Sequence, residues 1–76
     1  MYNELLEKLK SGECLFVRLK RGNTYRFGEN NSCIIKINAN QMWGAFLNEN
    51  SIILVRNNIK IKISLDLFLA DWEEKK

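Results

Sequence analysis

The chain has 76 residues and a mass of 9.0 kDa, with a net charge of +3, 46% hydrophobic residues and neither proline nor histidine. That length holds one domain, residues 1–76; no apolar run approaches the roughly 18–20 residues of a bilayer span, and the acid-bearing opening MYNELLEKLK does not read as a signal peptide. The missing histidine excludes a histidine acid–base relay and an ordinary zinc enzyme.

Residues 4–10 predict a short amphipathic helix. Asn3 is its expected N-cap, Glu4 and Glu7 open it, Lys8 and Lys10 close it, and Leu5, Leu6 and Leu9 share one face. Ser11-Gly12 supplies the stop, with Gly12 suited to a left-handed cap. Cys14–Lys20 alternates as a strand, Arg21-Gly22-Asn23 reads as a turn, and Thr24–Phe27 as the strand that returns against it. After a loop over 28–32, Cys33–Asn38 predicts a third strand. Residues 39–43 fit either a loop or one helical turn, and Gly44–Leu47 a short strand closed by a turn over 48–51.

The clearest hairpin joins Ile52–Arg56 to Ile59–Ile63 through Asn57-Asn58, since asparagine tolerates the positive φ of tight turns. Ile59, Ile61 and Ile63 are expected on one face and Lys60 and Lys62 on the other. Ser64 then caps a final helix whose apolar face is Leu65, Phe68, Leu69 and Trp72. The fold class is α+β: a small antiparallel sheet of about five to six strands with a short helix near each end. Cys14 and Cys33 form no C-x-x-C pair and sit in apolar runs, which predicts buried, reduced thiols and no metal site. A core this small is expected to gain support from self-association.

No catalytic constellation is visible. Ser11, Ser32, Ser51 and Ser64 all fall at caps or turns, and the cysteines lack an activating base. Asp66 with Asp71, and Glu73 with Glu74, read as solvated acids, and the isolated glycines build no phosphate loop. Neither enzymatic activity nor a cofactor is expected. The charge is more informative: residues 1–38 carry seven basic and four acidic side chains, residues 39–76 five of each. Arg18, Lys20, Arg21 and Arg26 fall in an acid-free stretch, and on a hairpin Arg18, Lys20 and Arg26 would share a face beside Phe16. That pattern suits phosphate contact, and a small phosphorylated ligand better than duplex DNA; the competing reading is a solvated outer face. Trp43 is a candidate stacking or interface aromatic, weighed against a place in the core, and Tyr2 a helix staple or interface residue.

The ends of the chain resemble a phage-encoded family, the small Thoeris anti-defence proteins of the second type. The N-terminal match is Tyr2, Leu6, Leu9, Lys10 and Gly12 in YNELLEKLKSG; the C-terminal match is Asp66, Leu67, Phe68, Asp71, Trp72 and Glu73 in DLFLADWE. Where that family places an arginine and then a tryptophan after its first glycine, this chain has Val17 and Lys20. The resemblance implies a non-enzymatic sponge: a homo-oligomer acting in the cytoplasm of a bacterial host cell, which sequesters a cyclic ADP-ribose-type immune signal between subunits. By position it points to Asn3 beside Tyr2 and to Asp71 beside Trp72; Arg18 and Arg26 of the basic stretch would meet the pyrophosphate of such a ligand, and Trp43 its base. Two other readings stand beside it: a small inhibitor of a host defence protein or nucleoprotein, such as a CRISPR effector, and a weak nucleic-acid-binding module.

Overall fold

A computed structural model describes residues 4–21, 24–28, 30 and 32–75. Its elements are α1 (Glu4–Lys10), β1 (Leu15–Leu19), β2 (Thr24–Phe27), β3 (Cys33–Lys36), β4 (Trp43–Asn48), β5 (Ser51–Arg56), β6 (Ile59–Ser64), α2 (Leu65–Asp71) and β7 (Trp72–Glu74). The α+β class holds, with the strands divided between a five-stranded antiparallel sheet, in the order β6-β5-β4-β1-β7, and a separate ribbon of β2 and β3.

This division corrects the hairpin expected between the first two strands. β1 is antiparallel to β4 on one side and to β7 on the other, so both of its edges are taken and β2 pairs with β3 alone. β7 itself was expected as the last turn of the C-terminal helix. The helix instead ends at Asp71, and Trp72 turns to extended geometry (φ −119°, ψ 153°). Trp72 then pairs with Leu19 across the sheet edge. An i, i+3, i+4 pattern and a strand that starts at Trp72 both point that indole at the core, so helical spacing alone does not separate them.

One face of the five-stranded sheet builds the core. Leu15, Val17 and Leu19 of β1, Trp43 and Ala45 of β4, Ile52 and Leu54 of β5, and Ile61 and Ile63 of β6 all enter one buried cluster. Leu9 from α1, Tyr25 from β2, Ile37 just after β3, and Phe68 from α2 complete it. Their strand neighbours alternate to the opposite face, as the period of two requires. Ile59 departs from the expected row: at the first position of β6 it is 43% exposed. Residues 39–40 form a turn, in which the Asn38 side chain accepts from the Asn40 N–H at 2.8 Å, and Trp43 already belongs to β4.

Local chemistry explains the ends of the elements. Gly12 has φ +93°, the left-handed conformation that stops α1, and donates its N–H to Leu9 O at 3.1 Å. Ser64 Oγ accepts from the Leu67 N–H at 3.2 Å and caps α2. Asn57, in the β5–β6 turn, has φ +54°. Lys8 Nζ donates to the Glu74 carboxylate at 3.2 Å, tying α1 to β7, and that carboxylate raises the ammonium pKa above its ordinary value.

Both thiols are free and exposed, not buried as expected. Cys14 precedes β1 on the parity of Phe16, opposite the core, and Cys33 opens β3, a ribbon strand with solvent on most of its positions. Among the described residues no cluster of acids and cysteines is arranged to hold a metal ion, and no helix is long and apolar enough to cross a membrane.

Candidate ligand cleft

A cleft of about 640 Å³ opens where the end of β1, the start of β2 and the end of α2 converge. Its polar lining is Lys20, Arg21, Thr24, Arg26 and Asp71, with Tyr25 in its wall. Each position has a local cause. Lys20 and Arg21 continue β1 past its last paired residue, and the Lys20 N–H donates to Asp71 O at 2.9 Å, stapling the helix end to the strand. Thr24 and Arg26 occupy the exposed parity of β2, while Tyr25 between them turns into the core at 4% exposure.

Among the described residues, three cations therefore face one carboxylate. Among the described residues no ion pair engages Lys20, Arg21 or Arg26, since the pairs formed are Lys8–Glu74 and Arg18–Glu73. Cations gathered without neutralising partners repel one another and attract an anion, which relieves that repulsion on binding. Two of the three are arginines, whose planar fork meets phosphate with two parallel hydrogen bonds.

The cleft wall rests on an aromatic stack. Tyr25 meets Trp72 edge-on with ring centres 5.5 Å apart, and Trp72 meets Trp43 edge-on at 6.1 Å. Burial raises the Tyr25 phenol pKa from 10.0 to about 12, and the nearby Asp71 charge pushes the same way. The Trp72 indole N–H draws it back somewhat, although Tyr25 Oη and Trp72 Nε1 complete no hydrogen bond of ordinary geometry.

A phenol harder to ionise folded than unfolded stabilises the fold fully below pH 10 and loses that contribution as pH rises from 10 toward 12. Urea midpoints measured between pH 9 and 12 should fall more steeply for the natural protein than for Tyr25→Phe. At pH 7 the phenylalanine variant should be as stable or slightly more so, since it removes a buried hydroxyl without a partner. Parallel alkaline curves would refute this account.

The expected site residues fall in different places. Arg26 and Asp71 come together in the cleft. Arg18 does not: β1 alternation puts it on the opposite face from Leu19, where its Nε donates to Glu73 Oε1 at 2.9 Å, so the predicted grouping of Arg18 with Lys20 and Arg26 on one hairpin face is overturned. Trp43 is 2% exposed and holds the core, which corrects its reading as a stacking platform. Tyr2 and Asn3 lie outside the described residues. Tyr25 was not singled out, although its place between Thr24 and Arg26 in an alternating strand already pointed it inward. No family model matches this chain, and searches of curated proteins and of solved structures return no similar protein.

Proposed function

We propose that this protein is a non-catalytic binder of a small phosphate-bearing ligand, held in the cleft between β1, β2 and α2. The observation that carries this reading is the convergence of Lys20, Arg21 and Arg26 on one open cavity, with no ion pair to neutralise them among the described residues. A cleft of about 640 Å³ falls within the range of small-molecule sites. In this reading the arginines clamp a pyrophosphate, Lys20 supplies a further point charge, and Asp71 accepts hydrogen bonds from ribose hydroxyls.

The resemblance of both chain ends to small phage anti-defence proteins supplies the ligand class: a cyclic nucleotide immune signal of the cyclic ADP-ribose kind, sequestered intact by a homo-oligomer in the bacterial cytoplasm. With Trp43 buried, the base is held by cleft walls and subunit borders rather than by that indole.

Native mass spectrometry tests the proposal. The protein as purified, and after addition of cyclic ADP-ribose isomers and cyclic dinucleotides, should form an oligomer that carries a nucleotide mass and releases it unaltered on denaturation. A species that takes up none of these nucleotides, or that returns them hydrolysed, would overturn it.

A further inference from the structure

We propose that the outer face of the five-stranded sheet, remote from the cleft, binds single-stranded nucleic acid, with a base stacked on Phe16 and the backbone held by Lys60 and Lys62. The face is open. α1, β2 and α2 send Leu9, Tyr25 and Phe68 to the core cluster, which occupies the other side of the sheet. On the open side, one cross-strand row runs Phe16–Gly44–Val55–Lys60 and the next contains Phe46–Ile53–Lys62. Phe16 is 58% exposed, a large ring presented to solvent from a paired position of β1.

Gly44 strengthens the assignment. It stands at the second position of β4 without positive φ, and a Cβ added there would meet nothing closer than Val55 O at 3.7 Å and Cys14 Sγ at 3.9 Å. The fold therefore does not demand glycine at this position. What the missing side chain leaves is a slot between Phe16 and Val55, about 10 Å across at two strand spacings, where a flat ring can approach the backbone.

Charge selects the occupant. On these strands the outward acid is Glu73, already engaged by Arg18 at 2.9 Å, whereas no ion pair among the described residues engages Lys60 or Lys62. A second copy of this face would bring no unpaired acid of these strands to Lys60 and Lys62. A polyanion with flat apolar rings satisfies the exposed aromatic, the slot and the lysines together, and every base offers a ring face for stacking.

Fluorescence anisotropy with a labelled 12-nucleotide oligo(dT) tests this. The natural protein should bind it, weakening about sevenfold between 50 and 200 mM NaCl, the dependence of two phosphate contacts on a single strand. Phe16→Ala should weaken binding about tenfold, within the range of one lost base stack, and Gly44→Val, which fills the slot, by a similar factor. Lys60→Gln with Lys62→Gln should abolish the salt dependence, and Arg26→Ala, in the cleft, should change nothing. Each variant is compared only after circular dichroism shows it folded. No binding at 50 mM NaCl, binding indifferent to Phe16 and Gly44, binding lost with Arg26, or a dimer that excludes the oligonucleotide would each overturn the assignment.

Discussion

Replacing Trp43 with alanine should unfold this protein rather than remove one of its binding activities. The indole is 2% exposed, sits in the cluster that joins β1, β4, β5 and β6, and packs edge-on against Trp72. Truncating a buried tryptophan to alanine costs about 3–5 kcal/mol through lost burial and the cavity left behind. A chain of this length has only roughly 4–11 kcal/mol of net stability. The variant should lose its cooperative thermal transition or melt tens of degrees lower, as read by circular dichroism. Trp43→Phe keeps a ring in the slot and should lose only about 1–2 kcal/mol, with a melting transition intact. A Trp43→Ala protein that melts like the natural one would remove Trp43 from the core and return it to the surface role that its sequence neighbourhood suggested.

The same residue shows what the sequence made legible and what it did not. The local signals were strong where one residue type has one job: Gly12 stops α1, Ser64 caps α2, and Asn57-Asn58 turns β5 into β6. Alternation assigned the faces of β1 and of most of β6 correctly, because a half-buried strand writes its burial into every second residue. Which strand pairs with which is a non-local matter, and there local reasoning failed. A turn at Arg21-Gly22-Asn23 looks the same whether the chain folds back onto β1 or departs to form a ribbon with β3. The edge of β1 is filled from far along the chain, by β7, which opens at Trp72. Burying that indole beside Leu19 brings β7 onto the edge of β1 that β2 would otherwise have taken.

That displacement in turn sorted the candidate site. Had β2 paired with β1, Arg18 and Arg26 would have been cross-strand neighbours. With β7 in that place, Arg18 faces Glu73 across the register and is held by it, while Lys20, Arg21 and Arg26 meet at the mouth of the cleft beside Asp71. The cations were legible as a cluster in sequence; their division between two faces was not, because strand parity separates neighbours only once the pairing is known.

Substituting both Arg21 and Arg26 with alanine should abolish capture of a phosphate-bearing ligand and leave the fold intact. Each side chain is exposed and engaged in no ion pair among the described residues, so removing it should change stability by no more than about 0.5 kcal/mol. A hydrogen bond to a charged group contributes roughly 1.5–3 kcal/mol, so losing both clamps should weaken binding on the order of 100-fold or more. Arg26→Lys separates charge from geometry: it keeps the cation, loses the two-pronged contact, and should fall between the natural protein and the double variant. Isothermal titration with pyrophosphate and with a cyclic nucleotide reads all three. Wild-type affinity in the double variant would sink the cleft as the ligand site. The opposite sheet face supplies the counter-test, since Lys60→Gln with Lys62→Gln should leave nucleotide capture untouched. One variant that weakened both activities while still folded would mean that the two faces do not act separately.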